Sequence, residues 1–312
     1  MIASAMILIG MFSEDSSVPS IDKVIKQLQA ADVDFAQDAR GNIAYLGAGL
    51  TDEAIRLVAP FGTLIELDCT GTKVTDDGLA HLKGSKSLRK LRARCAITGK
   101  GIAHLEGCPS LEYLVVEPKV DAESTVRSIG KLRQLKVLYL YGDAEFRPEW
   151  FDGWKHLQLR EFVTEMSRVG DEHVTRLEPI QSLERVVLGD TRITDASMDS
   201  LLKLKRIRQL SLGDTAISDN ALGRLRTHPS LEFLSAGRTK ISNRGVADVC
   251  ECRTLRTLYV RDTAIDDGAI EALSRARQLQ SMDITGTRFT KSGVTRLKAA
   301  LPKCEISSDF DE

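Results

Sequence analysis

Aromatic residues are scarce, at 5% of the chain, so the interior must be built from Leu, Ile and Val. An excess of one charge is lacking too: 43 Lys and Arg stand against 44 Asp and Glu. Broad binding to nucleic acid or to an anionic membrane surface draws on a basic excess, and this composition does not supply one. The six cysteines, at 69, 95, 108, 250, 252 and 304, include no Cys-x-x-Cys pair. That removes the strong zinc and thioredoxin spacings, and the cysteines read as buried free thiols in a reducing compartment. No apolar run approaches the ~20 residues that span a bilayer. The run Met1 to Phe12 contains no Lys or Arg, and it is expected to pack or fray rather than act as a signal peptide. A cytoplasmic protein is expected.

Catalytic signatures are also missing. The chain has no GxSxG, no Walker loop, no HExxH, and no GxGxxG after a strand. Gly47-Ala-Gly49 reads as a turn leaving a strand. His81 and His104 hold equivalent places 23 residues apart, but no third ligand joins them in a metal site. Cys69 falls at a core position and Cys108 and Cys252 in equivalent turns, none with a base beside it. No enzyme activity, cofactor or metal is expected.

What the chain does have is a repeat. Leu183 to Asp195 reads LERVVLGDTRITD, and 24 positions later Ile207 to Asp219 reads IRQLSLGDTAISD. Units begin at Arg40, Leu64, Leu88, Leu111, Leu135, Leu159, Leu183, Ile207, Leu231, Leu255 and Leu279; all are 24 residues long except the 23-residue unit at Leu88. A period of this length signals a solenoid. Three segments follow: 1–39, an N-terminal segment with a capping helix and hairpin; 40–306, an array of about eleven repeats with a closing strand; and 307–312, an acidic tail expected to fray.

Each position in the unit has a physical reason. Residues one, four and six (Leu183, Val186, Leu188) point inward from a short strand, while three, five and seven point outward. The ninth is Thr at 72, 191, 215, 239, 263 and 287, a hydroxyl able to bond backbone in the sharp turn leaving the strand. The eleventh is apolar. Thr-Asp or a variant follows (Thr75-Asp76, Thr194-Asp195, Ser218-Asp219), a helix start with a hydroxyl cap and negative charge in the first turn. Strands stack about 4.8 Å apart and helices are about 10 Å across, so the array should curve with the sheet inside.

The pattern LxxLxLxxTxITDxxLxxL, closest at Thr72 to Leu82, resembles leucine-rich repeat proteins, specifically the ribonuclease-inhibitor-like, cysteine-containing subclass in its bacterial form. The resemblance covers residues 40 to 306. It implies an α/β horseshoe with a parallel sheet on the concave face and helices on the convex face. It also implies protein binding rather than chemistry.

The units from 88 to 182 break the pattern. Their outward strand positions place a basic strand (Arg89, Lys90, Arg92, Arg94) beside an apolar patch (Tyr113, Val115, Val137, Tyr139, Tyr141, Val163, Val187) flanked by Glu117, Glu161 and Glu165. Exposed apolar patches tend to be contact sites, and Tyr and Arg are enriched at hot spots. The expected partner-binding residues are Arg92, Arg94, Tyr113, Val115, Glu117, Tyr139, Tyr141, Val163 and Glu165, on a protein that is monomeric by itself. The alternative is an adaptor binding an anionic ligand or nucleic acid through Arg89 to Arg94. Trp150, Phe151 and Trp154 read as filling a core gap.

Overall fold

A computed structural model describes residues 18–311; the apolar run Met1 to Phe12 lies outside them. The described residues form one sheet of thirteen short strands in which sequence order is spatial order. These are β1 (Phe35–Gln37), β2 (Ile43–Leu46), β3 (Glu66–Asp68), β4 (Lys90–Ala93), β5 (Tyr113–Val116), β6 (Val137–Leu140), β7 (Glu161–Val163), β8 (Arg185–Val187), β9 (Gln209–Ser211), β10 (Phe233–Ser235), β11 (Thr257–Tyr259), β12 (Ser281–Asp283) and β13 (Glu305–Ser307). β1 runs antiparallel to β2; every later neighbour pair is parallel, from β2–β3 to β12–β13. Between successive strands from β2 onward lies an α-helix, a 3-10 turn or both. The sheet does not close on itself, and the result is the horseshoe-like α/β solenoid that the repeat implies.

Register follows the period. Leu234 pairs with Leu258, 24 residues on. Leu91 pairs with Leu114, 23 on, so the short unit loses its residue in the turn and not in the strand. The inward columns form one continuous core in which Leu183, Val186, Leu188 and Ile193 are fully buried. Burying a side chain of this kind stabilises by about 1.5–3 kcal/mol. At the N-terminal end, helix α1 (Ile21–Ala30) starts on Ser20, whose Oγ accepts from Lys23 N, and it sinks Val24 and Leu28 into that core.

The ninth-position threonines behave as the turn chemistry predicts. Thr191, Thr215 and Thr239 donate to the carbonyls of Leu188, Leu212 and Ala236 at 2.6, 2.6 and 2.7 Å. The Thr-Asp pair does more than cap. Ser218 Oγ accepts from Asn220 N within its own helix start. It also donates to Asp195 of the preceding unit at 2.5 Å, while Ser218 N donates to the same carboxylate at 2.7 Å. The same two bonds join Thr75 to Asp52, Thr98 to Asp76, Thr194 to Asp171, Ser242 to Asp219 and Thr290 to Asp267. Each aspartate thus clamps the next unit's cap, a ladder along the solenoid edge. At Gly245 a Cβ would overlap the Asp219 carboxylate, so glycine there keeps the rung open.

Within the acidic tail, expected to fray, residues 308–311 are tied down. Asp309 accepts Gly286 N with both oxygens at 2.9 Å. Asp311 accepts Ser308 N at 2.6 Å and pairs with Lys298.

Candidate functional site

The outward positions of β3 to β8 carry the residues that the sequence singles out. The parallel register sets Tyr113 beside Val137, and Val115 beside Tyr139, itself beside Val163. Three tyrosines run across the strip, with ring centroids 5.6 Å apart for Tyr113–Tyr139 and 6.0 Å for Tyr139–Tyr141. Arg92 lies over the Tyr113 ring at 5.5 Å and Arg94 over the Tyr141 ring at 5.2 Å. Tyr139 Oη accepts from Arg185 at 3.4 Å. All three rings are half-buried. Burial, foremost, raises the phenol pKa of Tyr113 and Tyr141 above the ordinary value.

Two expectations need correcting. Val115, Val163 and Val187 point out of the sheet but are only 5%, 2% and 6% exposed. The patch is therefore not bare aliphatic surface: Val115 lies in register between Arg92 and Tyr139, and Val163 beside Tyr139, so tyrosine and charge make up most of what is exposed. Nor is the basic strand free. Arg92 pairs with Glu66 and lies 3.9 Å from Asp68, and Lys90 reaches Glu66 at 3.6 Å. Arg94 and Lys119 hold Glu117 at 3.1 and 3.3 Å. The hydrogen bond to Glu66 raises the Arg92 pKa, so this cation is already satisfied within the protein. Glu66 and Asp68 belong to the site and were missed. The signal was there, since the repeat register sets Glu66 beside Lys90 and Asp68 beside Arg92. Arg185 was missed as a partner of Tyr139 and of Glu161, the latter at 3.4 Å.

Farther along, the face becomes small. The fifth and seventh positions are Ser211 and Gly213 on β9 and its turn, Ser235 and Gly237 on the next unit, with Gly189 before them. Met166 stands beside this stretch, 66% exposed, at φ 50° where Asp190 and Asp214 occupy the same unit position.

The other candidates lie elsewhere. Phe151 and Trp154 are buried in the core, and Trp154 Nε1 donates to Val126 O at 3.0 Å. Among the described residues no group of three His, Cys, Asp or Glu is placed to hold a metal ion. Burial pushes the Cys250 thiol up to about 12 and raises Cys108 as well, which keeps these thiols protonated rather than nucleophilic. Among the same residues no helix is long and apolar enough to cross a membrane.

Comparison with known proteins agrees with this architecture. A family model described as "Leucine Rich repeat" matches residues 251–274, the length of one unit. The crystal structure of an internalin from Listeria monocytogenes is similar over 95% of this chain and 97% of that one, with a TM-score of 0.60 at 17% sequence identity. No curated protein matches the sequence. The chain therefore shares the fold of this leucine-rich repeat structure, and one of its units matches the leucine-rich repeat model.

Proposed function

We propose that this protein is a non-catalytic protein-interaction scaffold that binds a protein partner on the concave sheet face, centred on Tyr113, Tyr139 and Tyr141. Curved solenoids present extended concave surfaces of the kind used for binding. One observation carries the reading. The unit positions that hold Tyr139 and Tyr141 hold Ser211 and Gly213, then Ser235 and Gly237, three and four strands away, in the same parallel register. The strand-and-turn scaffold therefore forms without large side chains there, and three adjoining half-exposed tyrosines are more than folding requires. Tyrosine supplies a rigid, amphipathic contact at low entropy cost.

An anionic ligand or nucleic acid on Arg89 to Arg94 is the weaker reading, because Glu66, Asp68 and Glu117 already neutralise Lys90, Arg92 and Arg94. A photo-crosslinking residue placed at 139 should yield a discrete adduct in cells, which Arg92→Glu abolishes, and the same residue at exposed Lys155 on the convex side should not. Equal yields at both positions would refute a concave docking site.

A further inference from the structure

On the strip, cations and carboxylates pair off. Lys90 and Arg92 are held by Glu66, Arg94 by Glu117 and Arg185 by Glu161. Glu165 is the exception: no cation pairs with it among the described residues. Its carboxylate leans along the sheet over Gly189, where a Cβ would stand 3.6 Å from Oε1. Tyr141 occupies the same unit position one strand back, and after burial the largest influence raising its phenol is the Glu165 charge, so ring and carboxylate share one environment. Beyond Glu165 the face opens into a cavity of about 360 Å³ over Gly189, Ser211 and Gly213, whose lining also holds Asp190, Asp214 and, four units on, Arg261. The strip thus ends in an unpaired carboxylate, beside an aromatic ring and at the mouth of a cavity where carboxylates outnumber the one cation, Arg261.

We propose that Glu165 and Tyr141 form the recognition point for a cationic side chain, Arg or Lys, of a protein partner docked on the concave face. This rests on the docking reading above and adds the partner's chemistry. Charge complementarity selects the occupant. A carboxylate with no cation of its own attracts one, and a guanidinium or ammonium beside a tyrosine ring gains a second attraction from the ring's negative face. An acidic partner group would meet repulsion at the same place. Arg94, on the Tyr141 ring, is already drawn toward Glu117 at 3.1 Å, so it leaves Glu165 to the partner.

The test uses the full chain and needs no partner. Its backbone amides are followed by NMR while acetyl-Gly-Arg-Gly-amide is added, with the neutral citrulline peptide and inorganic phosphate as comparisons. The amides of Glu165, Gly189 and Gly213 should shift with the arginine peptide, much less with citrulline, and not with phosphate. Glu165→Gln should weaken the arginine response roughly fivefold, the scale of one charge-assisted contact, while Glu149→Gln, at an exposed position in the segment Pro148–His156 away from the strip, leaves it unchanged. Glu165 has no partner to lose, so the variant should unfold at the wild-type midpoint. An equal response to citrulline, a response to phosphate, or an unaltered response in Glu165→Gln would overturn the proposal. Failure here removes the cation site and leaves the crosslinking result at 139 intact, so the two readings fail separately.

Discussion

Residues 171–290 and residues 99–170 are built on the same strand spacing and held together by different means. In the later region every unit is clamped to the next by a carboxylate or amide at its helix start: Asp171, Asp195, Asp219, Asn243 and Asp267 each receive the following cap. In the earlier region that ladder stops. Gly99 stands where the aspartate would be, and a Cβ there would collide with Ser124 backbone. The unit at Leu135 exchanges its helix for an extended 3-10 segment, Pro148–His156. Two substitutes take over. His173 Nδ1 accepts Gly170 N at 3.1 Å while its Nε2 bonds Phe146 O at 3.0 Å, linking adjacent units. Phe146, Phe151, Trp154 and Phe162 form a chain of ring contacts 4.5–6.0 Å apart. The irregular region thus trades repeated polar rungs for one aromatic block, and its opposite face carries the tyrosine strip.

The largest expected effect breaks that block. Trp154 is fully buried and makes a hydrogen bond that Ala cannot replace. Trp154→Ala should lower unfolding free energy by about 3–5 kcal/mol, measured by urea denaturation. A loss below about 1 kcal/mol would mean that the middle units are not held by their rings.

A smaller effect tests the ladder where it resumes. Burial alone would raise the Asp171 carboxyl, but hydrogen bonds from Ser197 and Thr194 outweigh it and hold the group below its ordinary value of 3.8. Asp171→Ala should cost about 1–3 kcal/mol at neutral pH, the usual penalty for stripping an acceptor from part-buried donors. Because the folded-state pKa is depressed, the stabilisation is complete above 3.8 and fades as pH falls through the folded value. The gap between wild type and variant should therefore narrow in acid below that pH. A gap that stayed constant would assign the loss to packing rather than to the charge.

Most of the regular region was legible in the sequence because its columns are read from a single strict period. The inward residues, the turn threonines and the hydroxyl caps fell where spacing put them. The ladder was not read, although Thr194-Asp195 was in plain view. Within one unit the pair explains itself as a cap and a first-turn charge, and only the stacking distance shows Asp195 reaching Ser218. The candidate face was half legible for a similar reason. Alternation placed Val115 and Val163 on the outer side, but it could not say that they would be almost fully buried there, beside Tyr139. Arg92 read as a free cation because its own strand is basic, whereas Glu66, one period back, neutralises it.

The smallest expected effect asks whether the strip is kept for stability. Arg94 and Glu117 are 3.1 Å apart, with side chains 44% and 17% exposed, and Arg94 also covers the Tyr141 ring. A pair this open to solvent is screened, and its coupling should be only about 0.2–1 kcal/mol. A double-mutant cycle of Arg94→Met and Glu117→Gln, read by denaturant unfolding, measures it. A coupling of several kcal/mol would make the strip a structural brace of the irregular region, in the role that Asp219 and Ser242 fill in the regular one. A weak coupling, beside a large loss in Trp154→Ala, would separate the two faces of the same units: the buried rings hold the fold, and the concave tyrosines and their charges are left free to serve recognition.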